Sequence, residues 1–330
     1  MARNTDVLIA KGGFLTETYR ESGFLGCARK IIFAIKMSLP LMAMGRRTNS
    51  SVGAYFDIIT DDARRFYGDN FHFGYFKNEN DSFIDAVNNH TDVVALMAEL
   101  ENSKRVLDLG CGICAPAIRI VGNHDCHITG INISGEQVKQ GQRLVEEHGL
   151  SNRITIKRGS ALKLDFDDST FDSILCIEVA GDICVKHEQK MKFARELYRI
   201  LKPGGHIGFS DLVFTGRPTR KEEDAMRTIL YHDGAELMTD WPSIFEKQGF
   251  TIKHRMDIIE DTRRTWDHSI SIYEERAAEV ERRYGKRIAK RTLEHLRQIP
   301  KILEKHGSFI VMSIEKPASF MLSQSDIYDF

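Results

Sequence analysis

The chain has 330 residues, 42% of them hydrophobic and 28% charged, with a formal net charge of -1. That balance fits a globular protein with a sizeable core and excludes charge-driven association with nucleic acid. Six cysteines are too sparse for a disulfide framework; they fit a reducing compartment, so a cytoplasmic location is expected.

No secretory leader is read at the start, because charges and glycines interrupt the first apolar run. The stretch 24–44 is broken by Arg29, Lys30, Lys36 and Pro40, so it lacks the ~20 apolar residues of a span. It reads as a helical cap on the core, with contact to a membrane surface the less favoured role. The polar run Gly45-Arg-Arg-Thr-Asn-Ser-Ser51 marks a boundary, giving a cap over 1–50 and a main domain over 51–330. An amphipathic helix follows over 55–67, then the aromatic turn Gly68-Asp-Asn-Phe-His-Phe-Gly-Tyr-Phe76, then a helix over 82–100 with Ile84, Val87, Val94 and Leu100 among its apolar positions.

From Lys104 strands and helices alternate, the pattern of a doubly wound α/β sheet. Strands are expected over 105–109, 127–131, 154–158, 173–177, 206–214, 251–259 and 308–314. Helices are expected over 115–121, 136–147, 188–201 and 241–248. Ser134 and Gln137 have capping-box spacing at the start of the second of these. Lys202-Pro-Gly-Gly205 closes the third and turns the chain into the next strand. Two stretches exceed what a sheet needs: a helix-containing insert near 215–238 and a two-helix insert near 262–306. Together with 1–76 they are expected to form a lid over the carboxyl ends of the strands.

The most informative phrase is Arg105-Val-Leu-Asp-Leu-Gly-Cys-Gly-Ile-Cys114, a strand running into a glycine turn. Glycine lets such a turn bend sharply and lie against a ligand, and at a strand's carboxyl end it opens the crevice where nucleotide-like cofactors bind. A phosphate-binding turn would avoid a carboxylate, whereas Asp108 suits a ligand with positive charge and hydroxyls. That weighs against a nicotinamide dehydrogenase. Cys111 and Cys114 form a Cys-x-x-Cys pair, but Cys126, Cys176 and Cys184 supply no second pair at zinc spacing, so no metal site is expected. A redox role near a helix start is the alternative to the favoured reading, small residues in a cofactor turn.

This turn resembles motif I of the class I S-adenosylmethionine (SAM) methyltransferases, with Cys114 where the family usually has glycine. The phrase Thr129-Gly-Ile-Asn-Ile-Ser-Gly-Glu-Gln137 resembles the sterol, tocopherol, cyclopropane and prenyl-diphosphate C-methyltransferase branch. Arg158-Gly-Ser-Ala-Leu-Lys-Leu-Asp and Leu197-Tyr-Arg-Ile-Leu-Lys-Pro-Gly-Gly205 continue the match, which covers residues 51 to 316. The resemblance implies a Rossmann-like seven-stranded sheet, SAM as cofactor and S-adenosylhomocysteine (SAH) as product. It assigns cofactor contacts to Phe71, Asp108, Gly110, Gly112, Asn132, Ile133, Gln137, Ala161 and Leu162; neutral amides can hold ribose hydroxyls because each offers a donor and an acceptor. Ser160 replaces a frequent aspartate, which moves adenine contact to Ala161 and Leu162.

Glu178, in Leu175-Cys-Ile-Glu-Val-Ala-Gly-Asp-Ile183, matches the acid that faces the reacting carbon in this branch. The histidine that many O- and N-methyltransferases carry nearby is replaced by Gly181-Asp-Ile-Cys184, with His187 the first histidine. Glu178, His72 and Tyr55 are therefore the expected catalytic residues, with Phe73 and Tyr75 in the aromatic wall. The expected reaction is C-methylation of a small apolar, alkene or isoprenoid substrate, including a prenyl diphosphate; only then would Mg2+ take part, and Arg263-Arg264 would be the best diphosphate grip among the basic pairs. Alternatives are O- or N-methylation of an aromatic or alkaloid-like metabolite with His72 or His187 as base, and a non-methylating SAM-binding cyclase or scaffold. The partner is a small molecule, no nucleic acid is expected, and a homo-oligomer stays open.

Overall fold

A computed structural model describes residues 49–230 and 237–318. The expected cap, its boundary run up to residue 48 and the Arg46-Arg47 pair lie outside the described residues. The strands are β1 Arg105–Leu109, β2 His127–Asn132, β3 Ile154–Arg158, β4 Phe171–Ile177, β5 Leu201–Phe214, β6 Thr251–Asp257 and β7 Gly307–Glu315. They form one seven-stranded sheet in the order β3-β2-β1-β4-β5-β7-β6. All neighbouring pairs are parallel except those of β7, which runs antiparallel between β5 and β6. Successive residues of a strand face opposite sides. Thus Val106 joins Val94 and Ile128 in one core, while Leu107 joins Ile174, Phe209 and Trp241 in the other.

Helix α1 spans Asn49–Tyr67, α2 Phe83–Met97, α3 Ala115–Asn123 and α4 Gly135–Glu147. A short α5, Ala180–Ile183, follows β4, and α6 spans His187–Ile200. Then come α7 Arg220–Ile229, α8 Trp241–Glu246 and α9 Ile259–Thr262. Four more helices precede β7: α10 Arg264–Glu275, α11 Ala277–Tyr284, α12 Lys286–Leu296 and α13 Ile299–His306. The two-helix expectation for this insert is corrected to four. Gly285, with φ of 89°, and Pro300 at the start of α13 interrupt what periodicity alone joins. β5 also begins earlier than expected: Leu201 pairs with Phe171, and regular pairing resumes at Ser173 and His206. Lys202-Pro-Gly-Gly205 is therefore a bulge inside the strand rather than a turn before it. Among the described residues, no helix is long and apolar enough to cross a membrane.

Two contacts set the scaffold around the strand ends. Asp57 of α1 accepts hydrogen bonds from Ser134 Oγ at 2.5 Å and the Glu136 N–H at 3.0 Å, so α1 caps α4 beside the end of β2. The long insert braces α1 from outside through Arg65–Glu279 at 2.8 Å, Arg283–Asp62 at 2.7 Å and a Tyr284–Asp62 hydrogen bond. On the other side α2 lies so close to β5 that a Cβ on Gly208 would stand 2.1 Å from Val94 O and 3.0 Å from Ala98 N.

Because backbone cannot yield as a side chain does, Gly208→Ala is expected to lower the unfolding free energy by about 2 kcal/mol or more. Chemical denaturation reads this directly, and an unchanged midpoint would contradict the close approach of α2.

Candidate active site

Three adjacent strands supply the heart of the site. Asp108 of β1 lies in register with Gly130 of β2 and Leu175 of β4. Asn132 lies two residues beyond Asp108's partner on β2, and Glu178 three residues beyond its partner on β4, just past the strand's end. All three line one cavity of about 170 Å3 together with Phe71, His72, Gly110, Gly112, Ile133, Gln137 and Ala161. Val52 and Phe56 of α1, Asp69, Gly159, Asp182 and Ile183 also line it. A separate cleft between α1 and α4, with Asp61, Arg65, Glu136 and Arg143 among its walls, is lined by charges of both signs and touches none of these three strand ends.

The glycine turn leaves β1 with Gly110 at φ 63° and Gly112 at φ 53°. A Cβ on Gly110 would meet Val179 Cγ2 at 2.3 Å, while the nearest neighbour of one on Gly112 would be the Phe71 ring at 3.9 Å. Cys114 has φ 68°, a left-handed conformation that costs an L-residue about 1–2 kcal/mol. That cost accounts for the family's preference for glycine there. Both thiols of the Cys-x-x-Cys pair are buried, and the neighbouring Cys114 together with burial raises the Cys111 pKa well above the usual thiol range. A thiol held protonated is a poor redox nucleophile.

Asp108 is 3% exposed, and its Oδ2 has no hydrogen-bond partner among the described residues. Burial pushes its pKa up to about 7. On the next strand Asn132 Nδ2 donates to Gln137 Oε1 at 2.7 Å and to Gly112 O at 3.3 Å, while its Oδ1 accepts the Ser134 N–H at 2.9 Å. Ser134 Oγ in turn accepts the Gln137 N–H at 3.1 Å, so the cap of α4 aims both amides at the cavity. Leu162 does not line it; its N–H donates to Ser160 Oγ at 3.2 Å, and Gly159 stands beside Ala161 instead.

Glu178 has φ 54°, a strained conformation of the kind found at functional sites. Its N–H donates to Ser210 O at 2.8 Å and its Oε1 accepts the Phe73 N–H at 2.7 Å. Only 16% of the side chain reaches solvent, and burial drives its pKa well above the usual carboxylate range against the opposing Phe73 hydrogen bond. Two histidines flank it. His72 and His90 meet edge to face with ring centres 5.0 Å apart, and burial lowers their pKa values to about 4 and 3. Both are neutral at physiological pH. One donor atom each from His72, His90 and Glu178 lie within 4.8 Å of one another, a spacing that suits a metal ion. Yet the Nδ1 atoms of both histidines already face Phe73 O, at 3.0 and 2.7 Å. Each contact requires an N–H, which leaves the two Nε2 atoms as the lone-pair nitrogens, and these already face Ser210 Oγ at 2.9 Å and Thr91 Oγ1 at 3.3 Å.

Other expectations are corrected. Tyr55 is half-buried, edge-on to the Phe56 ring, and is not a cavity wall; Val52 and Phe56 are, being one helical turn apart on the same face. Phe73 packs on Trp266 and Phe309 with ring centres 5.2 Å away, so its amide rather than its ring serves the site. His187 is exposed at the start of α6, away from the cavity. Arg264 donates to Asn78 O and Asp81 O and lies over the Phe76 ring, while Arg263 pairs with Glu260 and Glu304. Neither lines the cavity; Arg264 pins the aromatic turn. No residue of the long insert is a cavity wall, although Thr265 Oγ1 accepts the Gly74 N–H at 3.0 Å. Pattern reading passed over His90 because a lone histidine on an amphipathic helix carries no signal of what its ring will meet.

A family model described as a methyltransferase domain matches residues 106–205. The 27-O-demethylrifamycin SV methyltransferase of Amycolatopsis mediterranei is 26% identical over 234 residues, covering 70% of this chain and 85% of that protein. The sterol 24-C-methyltransferase of Saccharomyces cerevisiae is 30% identical over 171 residues, 51% of this chain and 43% of that longer enzyme. Among solved structures, the [4+2]-cyclase SpnF is similar with a TM-score of 0.71 and 27% identity, over 83% of this chain and 98% of that one. The residues present fit SAM. A buried carboxylate oxygen without a donor, an amide pair at the next strand end and a glycine turn under an aromatic ring supply what an amine, a ribose and a sulfonium require.

Asp108 also leaves a measurable trace on stability. The unfolded chain releases this proton near pH 3.8 and the folded chain near 7, so folding takes up a proton in between. The associated stability is full below the lower value and lost as pH rises through the upper one. Asp108→Asn is therefore expected to stabilise the ligand-free protein by up to roughly 4 kcal/mol at pH ~8 and hardly at pH ~4, while weakening SAM binding. Denaturation at both pH values, with calorimetry of SAM binding, checks the pair of effects; equal stability changes at both would refute it.

Proposed function

Because the chain is a class I SAM-dependent methyltransferase of the sterol-methyltransferase branch, we propose that it methylates a carbon atom of a small apolar alkene, isoprenoid in type. SAM supplies an electrophilic methyl group on sulfur. The observation that carries this reading is Glu178: a carboxyl group largely withdrawn from water, on a strained backbone, with Phe73 N–H as its hydrogen-bond donor at 2.7 Å. In such surroundings a carboxylate interacts far more strongly with a nearby cation than it would in water. It can steady positive charge arising on the acceptor and then take the proton whose loss restores an alkene. Phe71 and Phe56 supply π faces suited to the same charge. His72, also in the cavity wall, is neutral, with Nδ1 on Phe73 O and Nε2 facing Thr91 Oγ1.

The acceptor is proposed to lack a diphosphate. Gripping one requires arginine or lysine, and the described walls hold Asp69, Asp108, Glu178 and Asp182 but no cationic side chain. Mg2+ then has no part in the reaction. A second reading, O-methylation, is favoured by the 85% of the rifamycin methyltransferase that aligns. There Glu178, with its raised pKa, would remove the hydroxyl proton as general base.

Glu178→Gln is expected to lower methyl transfer at least ~10^3-fold while SAH binds within about threefold of wild type. The assay uses SAM carrying a 13C methyl, with an extract of the producing cell as acceptor source. A carbon-bound label in the product NMR spectrum supports the first reading and an oxygen-bound label the second. Undiminished activity of the variant would remove Glu178 from both, and no labelled product with wild type would leave the non-methylating cyclase as the surviving assignment.

A further inference from the structure

Glu178 is held by a closed circuit of hydrogen bonds. Phe73 N–H donates to its Oε1 at 2.7 Å, and Phe73 O accepts from His90 Nδ1 at 2.7 Å. His90 Nε2 lies 2.9 Å from Ser210 Oγ, and Ser210 O accepts the Glu178 N–H at 2.8 Å. The circuit joins the aromatic turn, α2, β5 and the end of β4, segments that meet only in the folded molecule. His90 is completely buried and is the one member whose side chain makes two of the four bonds. With Nδ1–H given to Phe73 O, its Nε2 is left to accept the Ser210 hydroxyl proton, so the two bonds fix one neutral tautomer.

From this geometry we infer that His90 is a positioning residue for Glu178. It anchors the Phe73 carbonyl so that the amide of the same residue, two torsions away, aims at the carboxylate; through Ser210 it anchors the backbone of Glu178 itself. His72 adds a local bond to the same carbonyl at 3.0 Å, but it reaches no atom of β5. His90 lies 3.6 Å from Glu178 Oε1, beyond hydrogen-bond range, and acts through its two partners. The inference rests on the proposal that Glu178 faces the transferred methyl group.

The test compares binding of SAM, which carries a sulfonium charge, with that of SAH, which does not, by calorimetry on the full chain. The ratio of the two dissociation constants reads the carboxylate's grip on that charge and needs no acceptor. Glu178→Gln is expected to reduce the preference for SAM about tenfold or more. His90→Phe, which keeps the ring and loses both hydrogen bonds, is expected to reduce it about three- to tenfold, with SAH affinity within about twofold. His90→Asn restores a donor near the Nδ1 position and is expected to recover most of the preference. Combining His90→Phe with Glu178→Gln is expected to add nothing, because both act through one group. Should His90→Phe fail to fold, Ser210→Ala cuts the same circuit at its other end and is expected to cost about two- to threefold.

An unchanged ratio in a folded His90→Phe protein, or in Ser210→Ala where that stands in, overturns the inference while Glu178→Gln still loses its preference. Equal weakening of SAM and SAH in His90→Phe also overturns it, since that marks a merely structural residue. An unchanged ratio in Glu178→Gln instead overturns the proposed role of Glu178.

Discussion

Withdrawing a carboxyl group from water costs far more than one hydrogen bond returns, and Glu178 bears that cost on a backbone turned to φ 54°. Much of the architecture around the strand ends can be understood as what makes this arrangement tolerable. α2 brings a buried imidazole against the aromatic turn; the turn presents one amide to the carboxylate; β5 receives the backbone of Glu178. The turn is itself tied down at several points, by Thr265 beneath Gly74, by Ala86 O beneath Tyr75 N–H and by Arg264 across Phe76. The long insert thus serves the site without entering it.

Asp108 shows the same bargain one strand away. Its unpartnered oxygen and raised pKa are liabilities in the ligand-free molecule and assets once a positively charged cofactor arrives. A cavity lined by carboxyl groups and a neutral histidine suits a cofactor that brings the positive charge with it. Neighbouring Asn132 and Gln137 add hydrogen bonds without adding charge.

The order of strands is what lets distant residues share one cavity. β1 and β4 are neighbours although two strands separate them in sequence, so Asp108 and Glu178 line one cavity. β7, inserted antiparallel between β5 and β6, carries Phe309 to the back of the aromatic turn, where its ring meets both Phe73 and His90. Apolar packing behind the turn and polar bonding in front of it act on the same few residues.

The alternating pattern from Lys104 onward, the glycine turn after Asp108 and the amides at 132 and 137 were legible in the chain itself. Local chemistry dictates them: buried strands read as apolar runs, sharp turns demand glycine, and a cap leaves its polar spacing. Family and cofactor were legible through the resemblance that these phrases carry. What the chain alone left undecided depends on direction and proximity. Whether Tyr55 or Phe56 faces the cavity depends on how α1 is rotated by Asp57 and the outer ion pairs. Whether Arg264 grips a ligand or the aromatic turn depends on where Asn78 and Asp81 come to rest. The partnership of His90 with Phe73 and Ser210 was decided only by tertiary structure, because hydrogen bonds between segments far apart in sequence leave no periodic trace in any one of them.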